Sequence, residues 1–357
     1  MTAPASIETV SPARGGGASR PAAGARVRRW LVQNLPRWLE RTFIEPQISP
    51  VCIEIDASQL LLAVARRERR SRRARVALLR QQPLAEGLIE PSALHPNIGD
   101  PEALAAEVRR LFAGMPPPEA VSVLLPDSVA KISIMELTSL PRSHRDALEM
   151  VRFRLKKTVP FRIEDAQVDF HTLEAAPGSF RLLTTVAYRP VLKQYQTAIE
   201  ALGTRAGMVT LSTLSLLDRC WPEATSAGGD GDVLLANVTP RTLTLAVFRG
   251  TRLVLFRSKT LSGGSDGDAG ERVRVVRREY QTTLAYYQEK LEGRGFSRAL
   301  TRLVGWSPQQ LFGTEDGTRL ERIDPMRWAE PDPELGAPPA DAGLFAPALS
   351  LALRGVL

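Results

Sequence analysis

Apolar residues recur along most of the chain at two spacings, one typical of strands and the other typical of helices. The stretch from Val51 to Ala65 is rich in Val, Ile and Leu, and an Arg-rich break separates it from a second apolar stretch, Val76 to Leu79. A strand, a polar turn and a second strand predict a β-hairpin. A similar group of strands begins at Val233, and helical spacing follows each group. We therefore predict two related α/β lobes.

A further unit lies between these two groups. Its pattern predicts two strands, a helix, two more strands and a second helix over residues 118–204. We predict that this unit is inserted in the first lobe. The predicted organisation is then a first lobe of residues 47–117 and 205–228, the inserted subdomain of residues 118–204, a second lobe of residues 230–340, and a C-terminal helix of residues 341–357 that packs back on the body.

The N-terminal region has a different character. Residues 1–25 are mostly Ala, Gly, Ser, Pro and Thr, so we expect a disordered tail. Residues 26–46 combine apolar positions at helical spacing with Arg on the other faces, and Pro36 interrupts them. This basic amphipathic helix either packs on the body or lies in the plane of an anionic membrane surface. The candidate membrane residues are Arg28, Arg29, Trp30, Leu31, Leu35, Arg37, Trp38, Leu39 and Phe43.

Composition and charge narrow the class of protein. The chain has 357 residues, of which 43% are hydrophobic and 24% charged, which are globular values. Of the net charge of +8, residues 1–45 carry +4 and residues 66–80 carry +7, so the rest carries −3. A nucleic-acid-binding fold usually spreads basic charge over a working face, so we expect no nucleic-acid partner. The Arg-rich turn at 66–75 is either a solvated hairpin end or a contact to anionic lipid or an acidic protein.

The sequence offers few residues for metal or covalent chemistry. Two cysteines, Cys52 and Cys220, cannot build a disulfide framework and fit a reducing cytosol. The three histidines have no second ligand at metal spacing, so we expect no metal site. Nothing in the sequence places Ser215, His171 and Asp218 together as a triad. The apolar runs are too short to span a bilayer and no secretory signal is recognisable, which favours a cytoplasmic location.

Several segments, in this order, resemble the family of the type IV pilus assembly protein PilM, a relative of the cell-division protein FtsA in the actin-like ATPase superfamily. No single motif is decisive, but their order is specific, and the similarity covers about residues 48–357. The segments are residues 124–128 (LLPDS), 152–161 (RFRLKKTVPF), 168–170 (VDF), 233–250, 262–264 (SGG), 278–287 (REYQTTLAYY) and 345–348 (FAPA).

The resemblance implies a fold and a function. The fold is α/β, with two actin-like (ribonuclease H-like) lobes and a small α/β subdomain inserted in the first. The function is that of a cytoplasmic adaptor, peripheral on the inner face of the inner membrane, in a type IV pilus assembly platform. It would bind the N-terminal cytoplasmic tail of a PilN-like membrane protein in a groove between the first lobe and the insertion, and would meet other platform and motor components. The alternatives are an active actin-like ATPase that gates this binding, a cytoplasmic component of a type II secretion platform, and a cytoskeletal filament.

The family's nucleotide loops are degenerate in this chain. In the superfamily, ATP lies between the lobes, and two hairpin loops carry an Asp and a Gly near the phosphates. The resemblance places Glu54 and Asp56 at those positions in the first loop, and Asn237 and Thr239 in the second. In a third loop Gly305 remains, but Trp306 replaces the next Gly. A carboxylate beside a triphosphate is repulsive, and a bulky indole would fill adenine space.

We therefore expect a pseudo-ATPase with no catalytic residue and no cofactor, although ATP and Mg²⁺ remain an alternative. In that alternative, nucleotide would bind with altered contacts. The residues of this degenerate cleft that could contact it are Ser58, Thr239, Gly263, Gly264 and Gly305.

Overall fold

The computed structural model describes residues 48–68, 73–226, 231–261, 269–312, 318–335 and 339–356. These ranges belong to one compact unit, Pro46–Leu357. The predicted tail, the predicted helix at 26–46 with its candidate membrane residues, and Gly263 and Gly264 lie outside the described residues.

The strands in chain order are β1 (Val51–Ile55), β2 (Gln59–Arg67), β3 (Ala74–Pro83), β4 (Ala120–Leu125), β5 (Ala130–Leu137), β6 (Ala166–Ala176), β7 (Ser179–Tyr188), β8 (Arg205–Leu211), β9 (Asp232–Val238), β10 (Thr242–Arg249), β11 (Arg252–Thr260), β12 (Phe296–Leu303), β13 (Arg319–Arg322) and β14 (Glu330–Pro331). The helices are α1 (Pro101–Leu111), α2 (His144–Leu155), α3 (Arg189–Glu200), α4 (Ser212–Ser226), α5 (Ala269–Leu291), α6 (Pro308–Phe312) and α7 (Ala346–Arg354).

Two sheets share one topology, which confirms the predicted duplication. The first sheet has the order β14-β3-β2-β1-β4-β8, and the second has the order β11-β10-β9-β12-β13. In each, an antiparallel three-stranded meander is followed by two parallel strands on the other side of its first strand. Strands β1 and β9 are therefore equivalent central strands. Both are buried along their whole length, as expected for strands covered on two faces.

The predicted single strand from Val51 to Ala65 is two strands. A turn separates β1 from β2, and the Asp56 N–H donates to the Gln59 carbonyl across 3.0 Å. The sequence pattern did not reveal this turn, because both flanking strands are largely buried and apolar and so read as one continuous apolar stretch. The predicted hairpin across the Arg-rich stretch is the pair β2–β3.

A third sheet, of order β5-β7-β6, forms the inserted subdomain together with α2. The Ser143 side chain caps the N-terminus of helix α2 by accepting from the Asp146 N–H. It buries Val151 and Leu155 against one face of the sheet, where Leu182 lies. The predicted range 118–204 is too wide, since β4 pairs with β1 and β8, and α3 packs in the core of the first lobe. The inserted unit corresponds to residues 130–188.

The chain returns to the first lobe earlier than the predicted boundary at 340. Strand β14 pairs with β3, so the second sheet ends at β13. Helix α7 then packs on the first sheet, where Leu349 and Leu353 contact the side of the sheet that carries Cys52 and Ala63. Burial of every residue from Ala346 to Leu353 explains why this helix is apolar all round.

Helix α4 connects the lobes in the other direction, from the first sheet to the second. It follows β8 of the first sheet, yet Leu216 and Cys220 pack with Leu235 and Phe248 of the second. It also contacts α7, where the Ser350 Oγ–H donates to the Ser215 carbonyl across 2.7 Å. The two crossing helices join the lobes through apolar contacts. In the part of the chain that the structure describes, no helix has both the length and the apolar character to cross a bilayer.

Candidate functional site

The three loops predicted to form the nucleotide cleft lie together. The β1–β2 turn, the β9–β10 turn and the segment after β12 converge between the lobes. The cavity that remains between the first two is only about 10 Å³, lined by Asp56, Pro126, Asp127, Ser212, Asn237, Thr239 and Thr242. A cavity of that volume holds about one water molecule. The space between these two loops is therefore too small for a phosphate group in this conformation.

A buried ion pair lies beneath the closed cleft. The Arg302 guanidinium on β12 donates through Nη2 to Oε2 of Glu54 on β1 across 3.0 Å, and the two side chains are only 2% and 1% exposed. The Ser212 hydroxyl donates to the other carboxylate oxygen of Glu54 across 2.8 Å. The pair therefore joins the central strand of the first sheet to the second sheet.

Arg302 also satisfies the remaining acceptors around it. Its Nη1 donates to Oδ1 of Asn237 across 3.1 Å, and its Nε and Nη2 donate to the Leu344 carbonyl across 3.1 and 2.8 Å. Asn237 stands where the family carries an Asp, and here its amide accepts from the guanidinium. The sequence analysis missed Arg302, although an arginine within a buried apolar strand signals a buried acidic partner.

Asp127, in the loop after β4, anchors a second part of the network. Its carboxylate accepts from the Thr213 N–H across 3.0 Å and from the Thr213 hydroxyl, and the Thr244 hydroxyl of β10 donates to it across 2.7 Å. The Asn237 side-chain amide donates to the Thr213 hydroxyl across 2.8 Å. The two parts therefore form one network that crosses between the lobes. The sequence analysis named Asp127 only as part of the segment 124–128 and gave it no role.

Burial shifts the protonation equilibria of three carboxyl groups here. Loss of hydration raises the pKa of Glu54 to about 7, although the Arg302 charge partly offsets the increase. Burial also raises the pKa of Asp56 and of Asp127. The described residues contain no group of three or more His, Cys, Asp or Glu side chains arranged to hold a metal ion.

The other predicted cleft residues that the structure describes make contacts at the edge of the cleft. The Ser58 hydroxyl donates to Oδ2 of Asp56 across 3.3 Å. The Trp306 indole N–H donates to the Thr239 carbonyl across 3.0 Å, so the ring is held against the second loop. Gly305 adopts a left-handed conformation with φ of +73°, which positions Trp306 for this contact. Of the predicted nucleotide contacts, Ser58, Thr239 and Gly305 are thus near one another.

A larger groove, of about 680 Å³, runs between the first lobe and the insertion. Its floor and walls come from β6, β7, β8, α4 and α7. The apolar lining includes Leu173, Leu183, Met208, Leu214, Leu217, Trp221 and Leu351, and the polar lining includes Asp169, His171, Thr210, Ser215, Asp218 and Arg354. Strand β8 lies at the end of the first sheet's strand order, so one side of it faces this groove.

The groove brings Ser215, His171 and Asp218 onto one surface, which the sequence did not indicate. They do not form a triad, because the side chains of Ser215 and Asp218 are hydrogen-bonded to other groups. The Ser215 hydroxyl donates to the Pro347 carbonyl across 2.8 Å, and the Asp218 carboxylate pairs with Arg354. The Ser215 hydroxyl and the Asp218 carboxylate are thus engaged with partners outside the three residues.

The first prediction concerns the buried ion pair. The substitution Arg302→Met leaves the Glu54 carboxylate buried without its positively charged partner. The free energy of unfolding should therefore fall by about 3–5 kcal/mol. Urea denaturation measures this change. The control Arg319→Met removes an exposed ion pair with Glu321 and should cost at most about 1 kcal/mol. Equal costs for the two variants would contradict the assigned role of Arg302.

The second prediction concerns pH. The pKa of Glu54 is higher in the folded state than in the unfolded state. Between these two pKa values, the folded protein binds a proton on the Glu54 carboxyl group more tightly than the unfolded chain does. The stabilisation from Glu54 is therefore complete below about pH 4.3 and is lost as the pH rises through about 7, by an amount on the order of 3 kcal/mol. Urea denaturation across this range should show a smaller decline for Glu54→Gln than for the wild type.

Asp56 and Asp127 carry shifts of the same sign, so some decline should remain in that variant. The matched control Glu149→Gln, at an exposed position of α2, should keep the wild-type profile. An unchanged profile in Glu54→Gln would refute this assignment.

Comparison with known proteins places the fold. No protein-family model and no curated protein sequence matches the chain. The structure matches that of a PilM–PilN type IV pilus biogenesis complex at 19% identity with a TM-score of 0.70, covering 87% of this chain and 100% of that one.

Two further matches are weaker. A protein of unknown function with an actin-like ATPase fold from Bacteroides thetaiotaomicron has 10% identity and a TM-score of 0.46, with 79% of this chain and 93% of that chain covered. The cytoplasmic domain of EpsL, an inner-membrane component of the Vibrio cholerae type II secretion system, has 14% identity and a TM-score of 0.41, with 76% and 89% covered. The match at a TM-score of 0.70 shows that the chain has the fold of the PilM structure, which confirms the predicted two-lobed actin-like fold class.

Proposed function

We propose that this protein is a cytoplasmic adaptor of a type IV pilus-like inner-membrane platform, which binds the N-terminal cytoplasmic tail of a PilN-like membrane protein without hydrolysing ATP. The groove between the first lobe and the insertion is the observation that carries this proposal. The match along nearly the whole chain to a PilM solved with PilN supplies the class of partner.

The groove has the features of a peptide-binding surface. Its volume of about 680 Å³ lies within the usual range of ligand sites. Leucine and methionine side chains line its centre, and the Asp218–Arg354 pair and His171 lie among its polar groups. An extended peptide can add its backbone to an edge strand such as β8, while alternate side chains enter the apolar lining.

The contacts within the cleft argue against ATP hydrolysis by this protein. A nucleotide would have to displace the contacts between the two loops and bring its phosphates to the Asp56 carboxylate. Opening the lobes would also strain the Glu54–Arg302 pair, and separating a buried pair is costly. Side chains of this protein thus supply the connection between lobes that a nucleotide supplies elsewhere in the superfamily.

The proposed location is peripheral, at the inner face of the inner membrane. The bound tail of the membrane partner would hold the protein there. The basic amphipathic segment at 26–45 would add a contact to anionic lipid. Other platform and motor components would bind the remaining surfaces.

The third prediction tests the nucleotide cleft. Calorimetric titration of the full chain with ATP and with ADP, with and without Mg²⁺, should show no binding at millimolar nucleotide, because the space between the β1–β2 and β9–β10 turns is too small for a phosphate group. Micromolar, magnesium-dependent binding would contradict the pseudo-ATPase proposal. The protein would then be interpreted as an adaptor whose partner binding is controlled by nucleotide.

The fourth prediction tests the groove. A fluorescent peptide with the N-terminal tail sequence of the PilN-like protein from the same organism should bind the full chain, as measured by anisotropy. Replacing Thr210→Arg on β8 puts a long cationic side chain into the groove and should weaken binding by at least about tenfold, the equivalent of about 1.4 kcal/mol.

The control Thr282→Arg changes an exposed threonine on α5, on the second lobe, and should bind the peptide like the wild type. Thermal denaturation of both variants checks that they are folded. Wild-type affinity in a folded Thr210→Arg variant would place the partner elsewhere and reject the groove.

A further inference from the structure

Phe153 has an unusual position on the inserted subdomain. It lies on α2 and is 76% exposed, which makes it the most exposed of the large apolar side chains among the described residues. The opposite face of the same helix is fixed by Val151 and Leu155, which are buried against the inserted sheet. The packing of α2 therefore does not account for the aromatic ring in solvent.

Basic side chains lie on the C-terminal side of this ring, and the exposed Glu149 lies one helical turn before it. Residues 150–162 carry five Lys and Arg and no Asp or Glu. Arg154, Lys156 and Lys157 are exposed, and no ion pair joins any of them to a carboxylate of the described residues. Farther along, Arg162 pairs with Glu164 across 3.8 Å at the surface. We call Phe153, Arg154, Lys156 and Lys157 the α2 basic patch.

We propose that the α2 basic patch docks on the surface of a bilayer that contains anionic phospholipid, with the Phe153 ring at the level of the headgroups. An exposed ring inserts into the interfacial region, and cations around it gain about 1 kcal/mol each near an anionic surface. The contact is independent of the proposed pilus function and of residues 26–45.

The composition of the patch favours lipid over other anionic partners. Lysine is depleted at protein–protein interfaces, because ordering its long side chain costs entropy. Headgroups accept a lysine in many positions, so that cost is small at a bilayer. Binding of a nucleic-acid strand uses several aromatic side chains for successive bases, and the patch contains one.

The patch and the peptide groove lie on opposite faces of the inserted sheet. Leu182 on β7 packs in the core beneath α2, whereas its neighbour Leu183 lines the groove. Successive side chains of a strand point to opposite faces. Lipid contact through α2 therefore leaves the groove open, and a peptide bound in the groove does not compete with lipid.

A dye at the patch tests the proposal in the full chain. Cys52 and Cys220 are both buried, so an environment-sensitive dye can be attached selectively to Phe153→Cys, and for comparison to Leu94→Cys, at an exposed position of the first lobe. With vesicles of phosphatidylcholine and phosphatidylglycerol, the dye at 153 should shift to the blue and the dye at 94 should not. Vesicles of phosphatidylcholine alone should give no shift.

Charge removal then tests the role of the lysines. In the dye-labelled protein, Lys156→Gln with Lys157→Gln should weaken the vesicle partition by about 25-fold, from about 1 kcal/mol for each lysine. The control Arg109→Gln with Arg272→Gln removes the same charge from exposed positions of α1 and α5, and should leave the partition nearly unchanged.

Three results would overturn the proposal. The first is an unshifted dye at 153 under conditions in which the protein sediments with anionic vesicles. The second is an equal loss of partition in the control pair. The third is a response to polyglutamate without a response to vesicles, which would assign the patch to an acidic protein.

Discussion

The ion pair between Glu54 and Arg302 crosses between two sheets and is almost free of solvent. Its two residues are separated by 248 positions in the sequence. A buried pair of this kind adds little net stability, because desolvation offsets most of the attraction, but losing one partner is costly. The pair therefore selects one arrangement of the lobes over others. Around it, Asn237, Thr213 and Asp127 extend the same constraint to the loops of the cleft.

That constraint connects the two lobes through side chains of the described residues. Three hydrogen bonds make this connection: Arg302 donates to Glu54, Asn237 donates to Thr213, and Thr244 donates to Asp127. Glu54 and Asn237, from two of the loops that the sequence analysis singled out, thus belong to one network. The crossing helices α4 and α7 reinforce it with apolar contacts.

The closed body also determines the shape of the groove. One wall belongs to β8 and α4, and the other belongs to the inserted sheet. That sheet is attached to the second lobe as well, because Arg181 donates to the Leu253 carbonyl across 3.1 Å and Glu174 pairs with Arg252. Both walls are consequently held by contacts that reach the second lobe, and movement between the lobes would alter the groove. A rigid body would suit the proposed adaptor function, because a preformed surface loses less conformational entropy on binding.

Local periodicity was enough to predict many of the elements and their order. It indicated the four strands and two helices of residues 118–204, and the repeated strand pattern indicated the two related lobes. The order of short motifs indicated the PilM-like fold even though identity to the matching structure is 19%. These features depend on residues close together in the chain, where periodicity is informative.

Only the tertiary structure decided how distant elements meet. It assigned β4 and α3 to the first lobe and not to the insertion, returned β14 to β3, and paired Glu54 with Arg302. It also left a cavity of only about 10 Å³ between the β1–β2 and β9–β10 turns, and it brought β8, α4 and the inserted sheet together as a groove. A strand's neighbours and a buried charge's partner are set by long-range packing, which local periodicity does not encode.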